Sequence, residues 1–255
     1  MKITFLGTGT SQGVPMIGCN CEVCTSSDAK DNRLRSSILI QHEGINIVVD
    51  TTPDFRYQML RAQVKHLDAV LITHHHKDHL AGMDDVRAFN FFQKEAIDIY
   101  AMEETQEIIR KEFSYAFAPE KYPGVPQINL KTIKNKPIHI KGLKITPIHV
   151  LHHKLPVVGF RIGDFTYITD ANYIAPEEKK KIEKSRVLVL NALRKKPKHI
   201  SHFTLSEAVE LSNEVNAETT YFTHISHQMG TYQKVQQELP KEKFLSYDQL
   251  QIETI

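Results

Sequence analysis

Apolar residues recur along this chain in short runs with strand-like alternation, closed by glycine, proline or polar clusters. Such runs cover Lys2–Leu6, Ser36–Gln41, Ile45–Val49, Ala69–Thr73, Ile97–Ala101 and Ile128–Ile133. They continue at Leu143–Val150, Val157–Ile162, Thr166–Thr169, Arg186–Leu190, Thr219–Thr223 and Leu250–Thr254. The runs flanking His42-Glu43-Gly44 read as a hairpin. Helical stretches interrupt the strands. One is expected from Pro53, with Thr52 as its cap and proline at the first helical position. Others are expected over Glu103–Phe117 and Pro176–Lys184, and the best marked begins at Thr204, where Thr204-Leu205-Ser206-Glu207 has the form of a capping box. Between Ala88 and Pro126 aromatic residues crowd (Phe89, Phe91, Phe92, Phe113, Tyr115, Phe117, Tyr122), as in a helical cover near a site or in ordinary helix packing. Strands cluster early and then alternate with helices, and no Gly/Ser- or Pro-rich linker divides the chain. This order predicts an α/β fold of two mixed sheets packed face to face with helices outside, formed by residues 1–255 as one domain.

Composition narrows the class. The 255 residues are 41% hydrophobic and 24% charged, the balance of a soluble globular chain able to bury a substantial core. A net charge of +2 advertises no polyanion partner, so nucleic acid is admitted without being favoured. Apolar runs fall short of the ~20 residues that cross a bilayer. The opening Met1–Thr10 segment is too short and Gly-rich for a signal peptide, so a cytoplasmic location is expected.

The chemistry concentrates in Thr73-His74-His75-His76-Lys77-Asp78-His79, an H-x-H-x-D-H pattern directly behind the apolar run Asp68–Thr73. Imidazole and carboxylate are ligands suited to zinc, manganese or iron. A chance run of histidines does not supply an Asp-His pair at that offset, so the pattern reads as a site for two metal ions. Further metal-type residues fall at strand ends: His153 after the run ending near Val150, Asp170 after Thr166–Thr169, and His224 after Thr219–Thr223. A lone strand-end histidine is usually structural, but strand termini give ligands rigid support, and several together favour ligation. Cys19, Cys21 and Cys24 are the chain's three cysteines. An odd count argues against a disulfide framework, and three clustered thiols look like three corners of a tetrahedral zinc site.

Together these features resemble the metallo-β-lactamase superfamily of four-layer αββα hydrolases, over nearly the whole chain. Within it the chain is most similar to the PhnP-like cyclic phosphodiesterases. The Gly7-Thr8-Gly9 turn leads into Gly18-Cys19-Asn20-Cys21-Glu22-Val23-Cys24, His153 precedes Gly159-Phe160, His202 stands before the capped helix, and Thr223-His224-Ile225-Ser226-His227-Gln228 closes the set. The resemblance implies two divalent ions, zinc or manganese, with His74, His76 and His153 on one, Asp78, His79 and His224 on the other, and Asp170 bridging. His149 and His152 compete for the third position. His153 is preferred for its distance to Gly159, and His152 is the fallback. Asp50 is implied to orient ligands, Asp78 and His202 to serve in catalysis with His202 as general acid, and His227 to complete a structural zinc site with the cysteines. Two such ions could share a water and bring its pKa toward neutrality, furnishing a hydroxide that attacks phosphorus. Arg87 is the leading candidate for substrate phosphate, with Arg33, Arg35, Ser36 and Ser37 behind it. The expected substrate is a small cyclic or diester phosphate such as phosphoribosyl 1,2-cyclic phosphate, and a homodimer is compatible with the family. A ribonuclease-Z-like nuclease and a non-hydrolytic PqqB-like cofactor-biosynthesis protein are the alternatives.

Overall fold

The computed structural model describes residues 1–254. Its strands in chain order are β1 (Lys2–Gly7), β2 (Ser37–His42), β3 (Ile45–Val49), β4 (Ala69–Leu71), β5 (Ile97–Ala101), β6 (Ile128–Thr132), β7 (Ile138–Ile140), β8 (Leu143–His152), β9 (Leu155–Ile162), β10 (Phe165–Ile168), β11 (Tyr173–Ile174), β12 (Val187–Asn191), β13 (Thr219–Thr223), β14 (Lys243–Leu245) and β15 (Gln251–Glu253). The α-helices are α1 (Phe55–Arg61), α2 (Lys77–Leu80), α3 (Arg87–Gln93), α4 (Glu103–Glu112), α5 (Ser114–Phe117), α6 (Pro176–Ile182), α7 (Leu205–Glu214) and α8 (Tyr232–Glu238). One sheet runs β15-β1-β2-β3-β4-β5-β6, and the other runs β11-β8-β9-β10-β12-β13-β14 with β7 beside β8. Each is antiparallel on one side and parallel on the other, β3 to β6 in the first sheet and β10 through β12 and β13 to β14 in the second.

Strand alternation sorts the side chains into layers. Ile47 and Val49 of β3 join Ile3 and Phe5 against Val158, Phe160, Tyr167 and Val189 of the other sheet. Val48, one residue out of phase, faces the opposite way with Leu6 and Val70, onto Phe55, Met59, Leu80, Phe89 and Ile109. The second sheet does the same, setting Ile148, Val150, Leu188 and Leu190 against Ile182, Leu205, Ala208 and Leu211. The result is the expected helix–sheet–sheet–helix sandwich. Each fully buried large apolar side chain contributes about 1.5–3 kcal/mol.

The β2–β3 hairpin forms where expected. Its loop residues Glu43 and Gly44 have φ of 48° and 82°, as the two-residue turn between paired strands requires. The Thr204–Glu207 capping box is present in full. Elsewhere the elements differ in detail. The first helix starts at Phe55, because the Thr52 hydroxyl accepts from the Asp54 amide and bonds Gln58, closing a turn ahead of the helix. The Glu103–Phe117 stretch breaks at Phe113 into α4 and α5. The short strands β7, β11 and β14 and helix α8 carry too little periodicity to have been read. No described helix is long and apolar enough to cross a membrane.

Candidate metal centre

The site lies where strands of both sheets end. Asp50 follows β3, Thr73 and His74 follow β4, His152 closes β8, Asp170 follows β10 and His224 follows β13. Asp50, Asp170 and His224 have φ of 67°, 56° and 57°, left-handed backbone that turns each side chain off its strand toward a shared centre. Helix α2 brings Asp78 and His79. It docks through Gly82, where an added Cβ would stand 2.0 Å from the Thr52 carbonyl oxygen, so only glycine permits the approach. Asn191, at the end of β12, clamps the chain after Asp170 by bonding both the amide and the carbonyl of Ala171.

Two groups of donor atoms result, each within 4.8 Å: His74, His76, His152 and Asp170, and Asp78, His79, Asp170 and His224. Asp170 belongs to both. Its Oδ2 lies 3.1 Å from His79 Nε2 and 3.7 Å from His74 Nε2, and its Oδ1 lies 2.9 Å from His224 Nδ1. His74 Nε2 and His76 Nδ1 stand 3.0 Å apart.

The outer nitrogens of these rings all have partners, which sets the tautomers of His74, His79 and His152. The Thr73 hydroxyl donates to Asp50 and so accepts from His74 Nδ1 at 3.0 Å. Asp50 Oδ2 takes His79 Nδ1 at 2.7 Å, the Ser201 carbonyl takes His152 Nδ1 at 2.8 Å, and the Thr10 hydroxyl meets His224 Nε2 at 3.3 Å. In the neutral rings of His74, His79 and His152 the remaining lone pair therefore faces the centre, and His224 turns Nδ1 toward it. Despite its 2.9 Å approach to Asp170, His224 Nδ1 is buried without hydrogen-bond geometry to any partner. Converging imidazole lone pairs and carboxylates repel or go unsatisfied unless a cation sits among them, so the residues fit a pair of divalent ions.

Protonation follows the same logic. Burial pushes His74 well below the usual imidazole range and brings His152 to about 4, leaving both lone pairs free at neutral pH. Burial would lower His79 too, but Asp170, Asp78 and Asp50 outweigh it and hold its proton well above the ordinary value. Burial likewise opposes ionisation of Asp170, yet His224 and His79 keep it well below the carboxylate range. A proton on His79 thus balances the carboxylates where a metal would, and binding of a metal there would displace it. Asp50→Asn replaces the acceptor for His79 Nδ1–H. It is expected to weaken metal affinity about 10–100-fold, read by competition titration against a chelating dye.

The structure brings together His74, His76, Asp78, His79, Asp170 and His224, and adds His152 in place of His153. Strand β8 runs two residues beyond the expected Val150, so Ile148, Val150 and His152 share its buried face while His153 is exposed in the turn with φ of 59°. His149 lies on the opposite face of β8, where its amide donates to Glu178, and His75 stands outside both groups. His202 is buried beside the centre, its Nε2 3.6 Å from Asp170 Oδ2 and without a hydrogen-bond partner.

The basic candidates are committed elsewhere. Arg87 pairs with Asp84 at 3.2 Å, and Asp84 also takes the Tyr115 hydroxyl. Buried Arg33 bonds Thr8 and the Ser246 carbonyl, Arg35 is held by Asp54, and the Ser36 and Ser37 hydroxyls donate to backbone carbonyls. Thr10, Thr73 and Ser201, which orient the ligand rings, carried no signal in the sequence, since a hydroxyl or carbonyl beside a histidine has no fixed spacing.

Cys19, Cys21, Cys24 and His227 form a third donor group. The Cys19 and Cys21 sulfurs each lie 3.3 Å from His227 Nδ1. The Cys24 backbone amide and His227 bring the Cys21 thiol down to about 6, whereas burial pushes Cys24 up to about 11.

Comparison with known proteins agrees with this geometry. A family model described as the beta-lactamase superfamily domain matches residues 45–225. A Porphyromonas gingivalis protein named octanoyltransferase is 37% identical over 253 residues, 98% of this chain but 51% of that protein, so the chain spans about half the length of this relative. The crystal structure of a new diphosphatase from the PhnP family superposes with a TM-score of 0.92 at 38% identity, covering 100% of this chain and 98% of that one. Zinc-bound PqqB from Methylobacterium extorquens shares the fold, with a TM-score of 0.81 at 18% identity and 100% of both chains covered. On the breadth of these matches the chain belongs to the metallo-β-lactamase superfamily of hydrolases, close to its PhnP-like members.

Proposed function

We propose that the chain is a phosphodiesterase for a small cyclic or diester phosphate, of the kind phosphoribosyl 1,2-cyclic phosphate exemplifies. It uses two divalent ions at the His/Asp groups and a structural zinc at Cys19, Cys21, Cys24 and His227. The observation that carries this reading is Asp170, one carboxylate common to two complete donor sets. His74, His76 and His152 would hold one ion, and Asp78, His79 and His224 the other. When bound, such a pair supplies Lewis acidity toward phosphoryl oxygens and draws the pKa of a water toward neutrality. The protein's own part is to fix the ligand rings through Asp50, Thr73, Thr10 and Ser201, and to present His202 Nε2 at the edge of the centre. A proton held at that nitrogen passes to the leaving alkoxide.

The names of the relatives bear on substrate. A diphosphatase acts on a phosphoanhydride, which offers the same phosphoryl oxygens, so diphosphate esters belong in any substrate screen. Octanoyl transfer we assign to the half of the P. gingivalis relative that lies outside the aligned region.

The test reconstitutes the protein with zinc or manganese and measures metal content beside hydrolysis of bis(p-nitrophenyl) phosphate, cyclic ribose phosphates and diphosphate esters. Two ions at the His/Asp centre, one at the cysteines and chelator-sensitive diester turnover are expected. Full metal content with no diester hydrolysis would overturn the proposal and favour a non-hydrolytic role. Cys24→Ser should lose one zinc per chain and keep the other two ions. Its Tm should fall by about 2–4 °C for each kcal/mol lost in a chain of this size, which calorimetry reads directly.

A further inference from the structure

Ahead of α7, the segment His199-Ile200-Ser201-His202 folds its polar groups back on one another. The Ser201 amide donates to His199 Nδ1 at 3.3 Å, and the Ser201 hydroxyl lies 3.2 Å from His199 Nδ1 and 3.2 Å from His202 Nδ1. The two imidazoles meet Nδ1 to Nδ1 at 3.1 Å. A backbone amide only donates, so His199 Nδ1 is the acceptor and the hydrogen of its neutral ring sits on Nε2. His202 Nδ1, facing that lone pair, must then be a donor. The Ser201 hydroxyl oxygen is placed to accept from the same His202 Nδ1–H, and the one lone pair of His199 Nδ1 is shared by the Ser201 amide and His202.

This arrangement decides which way the His202 ring faces. With Nδ1–H directed at His199, Nε2 is turned toward Asp170. A half-turn of the ring would set a carbon against the His199 lone pair and take Nε2 away from the centre. Outside the turn, Asn172 Nδ2 donates to the Ile200 carbonyl at 3.1 Å and the His202 ring packs on His152 and His224, but none of these contacts engages His202 Nδ1. The Ser201 carbonyl in the same turn accepts from His152 Nδ1, so one tetrapeptide orients both a donor ring and its neighbour.

We infer that His199 is a positioning residue: by accepting from His202 Nδ1–H, it holds the His202 ring with Nε2 toward the reacting centre. The inference rests on the proposed role of His202 as the group that protonates the leaving oxygen, but its geometric part can be tested apart from activity. In the zinc-reconstituted chain, long-range ¹H–¹⁵N correlation of labelled histidines reads which nitrogen carries hydrogen, with the His202 signals assigned by their loss in His202→Gln. His202 should carry hydrogen on Nδ1, alone in the neutral ring and together with Nε2 in the protonated acid form, and in His199→Ala that preference should weaken. Hydrogen on Nε2 alone in the unaltered protein overturns the inference.

Kinetics supplies the second arm. On a diester with a poor alkoxide leaving group, His199→Ala should lower kcat about 10–100-fold, with KM and metal content unchanged. On bis(p-nitrophenyl) phosphate, whose leaving group needs no proton, the rate should hold. His199→Asn, whose side-chain oxygen can accept in place of Nδ1, should recover most of the loss. Equal losses on both substrates, or no advantage of asparagine over alanine, would mark His199 as merely structural and overturn the inference. His202→Ala measured in parallel separates the two failures. If it shows leaving-group dependence and His199→Ala does not, only the positioning role is wrong. If neither does, the acid role falls with it.

Discussion

Asp170→Asn is expected to cut turnover by about 10²–10³-fold or more and to leave fewer than two ions at the His/Asp centre. The side chain is 2% exposed, and its two oxygens face His74, His79 and His224 together. Asparagine keeps the volume and tolerates the left-handed backbone at this position, so the variant removes charge rather than shape. Without that charge one cation site loses its only carboxylate, and the other retains only Asp78. The lone pairs of the surrounding imidazoles then face each other with less to balance a bound cation. Metal analysis beside kcat on the same preparation gives the answer. A variant that kept both ions and near-normal turnover would refute a bridging role.

His202→Ala is expected to separate substrates by leaving group. General acid assistance contributes about 10²–10⁴-fold, and that loss should appear on alkyl diesters and largely vanish for p-nitrophenyl esters. His202 Nε2 makes no hydrogen bond within the protein, and its ring packs edge-on to His152 and nearly parallel to His224, at centroid distances of 4.4 and 4.9 Å. Burial lowers its affinity for a proton, and Asp170 beside it opposes that loss and favours the protonated ring the acid role requires. Because the side chain belongs to neither donor group, metal content should be unchanged. A full rate on poor leaving groups would remove His202 from the chemistry.

Much of this was legible in the amino-acid pattern because the signals are local. The H-x-H-x-D-H loop sits directly behind a buried strand, so its four donors and their direction follow from a few consecutive residues. Layering was equally readable, since Ile47, Val48 and Val49 announce two covered faces by themselves. The third histidine was not. Three candidates lie within five positions, His149, His152 and His153, and the choice depended on where β8 ends, a boundary set by pairing His152 with Leu155 in β9 rather than by local preference. The basic residues misled for a related reason. Arg33 and Arg35 look free in sequence, but Asp54 and Asp248 come from other elements to engage the segment that carries them. The His199–His202 contact requires a chain reversal that periodicity does not describe.

The left-handed backbone at Asp50, Asp170 and His224 has a consequence for how such a protein ages. Each conformation is disfavoured for a residue bearing a Cβ by about 1 kcal/mol or more. Glycine at any of the three would relieve that strain and erase part of the centre. The same change that frees the backbone at these positions therefore also removes a donor or an orienting group from the centre. A descendant freed from its task gains that relief at Asp50 only by orphaning the buried Thr73 and His79 donors it now satisfies, so the old framework is kept in place by its own polar interior.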